Sequence, residues 1–138
     1  MTSVTLNIDG PRDPRYALEV AEAFAGCARV LCHLTRDPAA LEYPAEAYRL
    51  IREIRAGIGM LPQLLGQAGG RLEAWRAAGQ VRVAGGTFAG DPDLAVITAR
   101  LRLDEARMHL AEAEMALSAA ASVTADLAAA GTGEDDNG

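Results

Sequence analysis

Apolar residues in the middle of the chain recur at alternating spacings of four and three residues. The series starts at Ala47 and continues to Trp75 without a change of phase. An uninterrupted heptad pattern indicates one helix that keeps one face against one partner. We therefore predict a single helix over residues 44–78, kinked near Pro62, where proline removes the hydrogen bond to the Ile58 carbonyl. This apolar seam comprises Ala47, Ile51, Ile54, Ile58, Leu61, Leu65, Ala68, Leu72 and Trp75.

A second strip, with almost no side chain, follows the same helix. It consists of Gly59, Pro62, Gly66 and Gly69, spaced by three, four and three residues. Each helical glycine costs about 1 kcal/mol relative to alanine, so a compensating contact is expected. We predict that this glycine strip permits the close approach of another helix.

A third helix is predicted from the Asp91-Pro92 start to Gly131, with two opposed apolar stripes. The first stripe alternates leucine and alanine and suits the glycine strip, at an axial distance of about 8 Å. The second, which we call the outer face, would receive helix 1 or a second copy of the protein. The first stripe is Val96, Ala99, Leu103, Ala106, Leu110, Ala113, Leu117 and Ala120. The outer face is Leu94, Ile97, Leu101, Met108 and Met115.

The N-terminal third predicts a short strand followed by a helix. Apolar and polar residues alternate over 4–8, a period-two pattern typical of a strand, and Val81-Arg82-Val83 could pair with it. Asp13 and Pro14 then indicate a helix start, and this first helix should continue to Arg36. Its inward face would comprise Tyr16, Val20, Ala23, Cys27, Val30 and Leu34, flanked by Phe24 and Leu31.

These elements predict an all-α fold, a bundle of three long antiparallel helices with a proline-kinked middle helix, which dimerisation could complete. We expect one helical domain over residues 1–130 and a disordered acidic tail over 131–138. Cys27 and Cys32 point about 140° apart on helix 1, so they should be two buried thiols rather than a disulfide.

Charge and composition argue against two classes of function, nucleic-acid binding and membrane insertion. The formal net charge is −6, all 13 basic residues are arginine, and no apolar run reaches the ~20 residues that cross a bilayer. An acidic chain without a basic face argues against nucleic-acid binding. The absence of an N-terminal signal pattern indicates a cytoplasmic protein.

Two polar clusters are candidates for chemistry. Glu105, His109 and Glu112 share one side of helix 3, but the paired Glu-x-x-His motifs of di-metal bundles are absent. We interpret them as a solvated strip and expect no metal, cofactor or catalytic residue. The second cluster, Arg49, Arg52 and Arg55, is interleaved with Glu46 and Glu53 and indicates charge pairing on an exposed face.

Arginine without lysine, alanine-rich helices and the sequences LPQLLGQ and AAGQVRV resemble small alanine- and arginine-rich helical proteins of high-GC actinobacteria. The resemblance covers residues 44–130 and implies no particular activity. The excess of apolar face instead predicts a non-catalytic interaction or assembly module that associates with itself and with a protein partner. The expected interface residues are Gly59, Gly66, Gly69, Leu101, Met108 and Met115. The alternatives are a small-ligand or metal-binding helical bundle, and a nucleic-acid-associated accessory protein.

Overall fold

The fold is all-α, as the sequence predicts. A computed structural model describes residues 3–127, which form three long helices, and no strand is present in that range. The helices are α1 (Pro14–Leu34), α2 (Pro44–Ala77) and α3 (Pro92–Ala125), with a 3₁₀ turn at Pro38–Ala40. The predicted acidic tail over 131–138 lies outside the described residues.

All three helices begin with proline in the first turn, where the missing N–H leaves no intrahelical bond unmade. Asp13 Oδ1 accepts a hydrogen bond from the Tyr16 amide at 2.8 Å, and Asp91 Oδ1 accepts one from the Leu94 amide at 3.0 Å. At the start of α2, the backbone amide of Tyr43 donates a hydrogen bond to Glu46 Oε2 at 3.3 Å. The predicted cap-plus-proline starts of α1 and α3 are confirmed.

The middle segment is one helix of 34 residues that passes through Pro62. The prediction of a single helix is confirmed, and the bend at Pro62 stays a prediction. Gly79 ends the helix with φ +67°, and the amide of Gln80 bonds to the Trp75 carbonyl at 2.9 Å. This six-residue closure is the usual way in which glycine terminates a helix. α1 and α3 end at Leu34 and Ala125, earlier than predicted.

The strand predicted over residues 4–8 is absent, and that prediction is wrong. The hydroxyl of Tyr16 takes its place: it accepts from the Asn7 amide at 3.0 Å and donates to the Thr5 carbonyl at 2.9 Å. These bonds satisfy the backbone without a neighbouring strand. Residues 81–83 are likewise irregular, so the predicted two-stranded ribbon does not form.

The chain divides between Glu42 and Tyr43 into two compact units. The expectation of one domain over residues 1–130 stays a prediction, and each unit is described by itself. In the first unit, α1 contains no buried residue. Its two cysteines are exposed free thiols, so the prediction of buried thiols is wrong. The first half of the predicted inward face is half-buried, and the part beyond Ala23 is exposed.

In the second unit, α2 and α3 pack closely as an antiparallel hairpin. Contacts run from Arg76 with Asp93 near the connecting loop to Arg55 with Glu114 further along the pair. All members of the predicted alanine-leucine stripe of α3 are buried or half-buried, which confirms that this face packs. Val96, only 4% exposed, and Ala121 are the buried hydrophobic residues of the described chain.

Candidate interaction surface

The face that α2 turns toward α3 is rotated from the predicted apolar seam. Ile54 and Trp75, both seam members, remain 41% exposed, whereas Gly69 is the buried residue of the helix. The half-buried positions also include Pro62 and Gly66. The hairpin therefore packs along the edge that joins the seam to the glycine strip, and part of the seam stays at the surface.

Long side chains of α3 cover the glycine strip. A Cβ built on Gly66 would lie 3.2 Å from Arg107 Cζ, and one built on Gly59 would lie 3.4 Å from Glu114 Cδ. At Gly69 the nearest atom is Leu103 Cδ1, at 3.6 Å. The prediction that alanines pack directly on this strip is wrong, because the space beside the glycines is occupied by larger side chains.

Glu114, which covers Gly59, belongs to a ladder of charges between the helices. Arg55 lies 3.4 Å from Glu114, and Arg100 lies 3.6 Å from Glu73. Arg76 donates to Glu73 and, at 3.1 Å, to Asp93. The members of this ladder on α3, Asp93, Arg100 and Glu114, are separated by seven and fourteen residues beside the packed stripe, and this spacing was detectable in the sequence. Arg107 has the same spacing but pairs with Asp104 of its own helix.

Glu73 is the most connected acid of the ladder. A hydrogen bond from Arg76 is the main cause that lowers the pKa of this carboxyl below its ordinary value, and the charges of Arg76 and Arg100 add to the effect. The same hydrogen bond raises the pKa of Arg76. Since Arg100 belongs to α3, the ionised Glu73 carboxylate links the two helices of the hairpin.

The outer face of α3 is exposed. Leu101, Met108 and Met115 are 64%, 54% and 73% exposed, and the other members, Leu94 and Ile97, are about as accessible. The prediction that large apolar side chains lie at the surface along this face of α3 is confirmed. The six predicted interface residues therefore fall into two groups. The three glycines lie against side chains of α3 of their own chain, and the three apolar residues are exposed.

The polar cluster of α3 lies at the surface, with its members paired along their own helix. Arg102 donates to Glu105 at 2.8 Å, and this bond is the main cause that lowers the pKa of Glu105. His109 Nδ1 lies 3.4 Å from Glu112 Oε2, with both side chains more than half exposed. Across residues 3–127, no three His, Cys, Asp or Glu side chains are grouped closely enough to hold a metal ion.

Comparison with known proteins adds no relative: no family model matches the chain, and no curated protein or solved structure is similar to it. None of the helices within the described range is long and apolar enough to span a membrane. The surface itself combines two features. Ion pairs connect α2 and α3, and an exposed apolar face lies on the opposite side of α3.

Proposed function

We propose that the protein is a non-catalytic assembly module that forms a homodimer in the cytoplasm through the outer face of α3. The exposure of Leu101, Met108 and Met115 is the observation that carries the proposal. A hairpin of two helices has a thin core, and among the described residues only Val96 and Ala121 are buried hydrophobic side chains. Covering the outer face would add the apolar burial that such a small core lacks.

The spacing of the outer face supports a second copy of the chain as the partner. Leu101 and Met115 each lie seven residues from Met108, on either side of it. If two α3 helices pair antiparallel with Met108 at a two-fold axis, Leu101 of one copy meets Met115 of the other. Such self-complementarity is what a two-fold interface requires.

Disulfide trapping tests the register. The Met108→Cys substitution is made in a Cys27→Ser, Cys32→Ser background, so that position 108 carries the only thiol. Two such residues at the axis bring their Cα atoms within about 7 Å, which a disulfide can span. We expect a covalent dimer on mild oxidation. The matched control is Met60→Cys, an exposed methionine of α2, which should yield far less dimer.

Sedimentation equilibrium of the full chain tests the association itself. We expect a dimer at tens of micromolar for the original sequence and for Met60→Glu, and a monomer for Met108→Glu, which places two carboxylates against each other at the axis. A monomeric original sequence would refute the proposal. If Met108 in that monomer also resists oxidation by peroxide, the outer face is covered from within the chain rather than by a second copy.

A further inference from the structure

A polar surface cavity of about 330 Å³, open to solvent, lies between the N-terminal half of α2 and the C-terminal end of α3. It is separate from the outer face of α3, and the proposed dimer does not use it. Two guanidinium groups and three hydroxyl groups line it, together with two alanines. The polar lining residues are Tyr48, Arg52, Arg55, Ser118 and Ser122.

The two arginines carry positive charge that the hairpin only partly compensates. Arg55 lies 3.4 Å from Glu114, and its Nε has no hydrogen-bond acceptor among the described residues. No carboxylate in residues 3–127 forms an ion pair with Arg52. The expected pairing of Arg52 and Arg55 with acids of their own helix is therefore wrong, and within residues 3–127 only Arg55 of the two has a carboxylate partner.

We propose that this cavity binds a phosphate group, either as the inorganic ion or on a small organic molecule. Guanidinium groups donate paired hydrogen bonds to phosphate oxygens, and the side chains of Arg52 and Arg55 both line the cavity. The hydroxyls of Tyr48 and Ser118 add donors for the remaining oxygens. The volume exceeds that of the ion alone and leaves room for an organic body next to the Tyr48 ring.

Titration of the full chain with three small anions tests the proposal. The probes are inorganic phosphate, phenyl phosphate and benzoate, added to ¹⁵N-labelled protein while the amide and arginine Nε–H resonances are followed by NMR. We expect saturable shifts at residues 48–55 and 118–122 with phenyl phosphate. Weaker binding of inorganic phosphate would assign a phosphate ester as the ligand class, and equal binding would assign the free ion. Preferential binding of benzoate would overturn the assignment to phosphate.

Arginine variants separate a site from general charge attraction. Arg52→Gln and Arg55→Gln should each weaken phenyl phosphate binding by about tenfold, the effect of one charge-assisted hydrogen bond. The matched control is Arg49→Gln, which removes the same charge from an exposed position of α2 outside the cavity lining. The control should bind within about twofold of the original sequence. Circular dichroism checks that each variant remains helical.

Two results would overturn the proposal. One is the absence of saturable shifts up to about 5 mM ligand, which is weaker than a built site provides. The other is an equal loss in Arg49→Gln and Arg52→Gln, which would indicate diffuse attraction. Met108→Glu should bind as the original sequence does, since position 108 is outside the cavity lining. The experiments can therefore refute the proposed dimer and the proposed anion site independently of each other.

Discussion

A methyl group built on Gly66 of α2 would lie 3.2 Å from Arg107 Cζ of α3, so the guanidinium fills the space that a side chain at position 66 would need. Arg107 also donates to Asp104 at 3.0 Å, which holds its charged end at the helix surface. This contact explains why a residue without a side chain occupies position 66. The glycine allows the guanidinium group of Arg107 to lie against α2 at position 66.

Leucine at position 66 should therefore destabilise the hairpin. Gly66→Leu forces Arg107 away from α2 and should lower the free energy of unfolding by about 1–3 kcal/mol, as overpacking does. The matched control is Gly70→Leu. Apart from its chain neighbours and the backbone of its own helix, no atom of the described chain lies within 4 Å of a Cβ at Gly70, so leucine there should stabilise the helix by about 0.5–1 kcal/mol. Urea unfolding measures both, and equal effects would contradict the packing described for Gly66.

Replacing the proline inside α2 should stabilise the protein. Pro62→Ala restores an amide that can bond to the Ile58 carbonyl, and the gain should be about 1–2 kcal/mol after the loss of proline's restraint on the unfolded chain. The control is Pro92→Ala at the first position of α3, where an amide has no helical partner and no gain is expected. If Pro62→Ala is as harmful as Gly66→Leu, then the local bend at Pro62 is needed for packing.

The helices were predictable because their sequence signals are local. The contacts between the helices were only partly predictable, because they depend on residues far apart in the chain. The caps at Asp13 and Asp91 need a few neighbouring residues, and both were correct. The rotation of α2 toward its glycines depends on Arg107 and Glu114, which lie more than 40 positions away in the chain. The strand predicted from the alternating pattern over residues 4–8 is absent for a similar reason, because the hydroxyl of Tyr16 bonds to that segment.

The cavity illustrates a second limit of sequence reasoning. Arg52 and Arg55 were interpreted through the acids nearest to them along α2. Their neighbours around the cavity are Ser118 and Ser122, which the antiparallel pairing brings from the far end of α3. Sequence periodicity predicts which face of a helix packs. It does not predict which residues of two long helices lie opposite each other, because that depends on the length and path of the connecting loop.

Acid should weaken the hairpin through Glu73. Its folded-state pKa is lowered from an ordinary value of 4.5, chiefly by the hydrogen bond from Arg76, so the folded state favours the ionised carboxyl. Its contribution to stability is thus present above the unfolded pKa and is lost as the pH falls through the lower folded value. Urea unfolding at a series of pH values from neutral to about 3 should show stability that declines below about 4.5.

Replacing Glu73 with glutamine measures how much of this pH dependence comes from the Glu73 carboxyl. Glu73→Gln should be less stable than the original sequence at pH 7 and should lose less stability on acidification, because the group that titrates is gone. Glu53→Gln is the matched control, since it removes a charge from α2 outside the ladder. Identical acid profiles for Glu73→Gln and the original sequence would show that other carboxyls carry the effect.

Two consecutive residues of α3 should separate the stability of the hairpin from its association. Val96 is 4% exposed and Ile97 is 50% exposed, on the packed stripe and the outer face respectively. In a Met108→Glu background, expected to be monomeric, Val96→Ala should cost about 2 kcal/mol from lost burial and the cavity left behind, and Ile97→Ala less than about 1 kcal/mol. In the original background, Ile97→Ala should instead weaken dimerisation measured by sedimentation. If Ile97→Ala proves as costly as Val96→Ala in the monomer, then Ile97 packs within the chain, and the outer face is not available to a second copy.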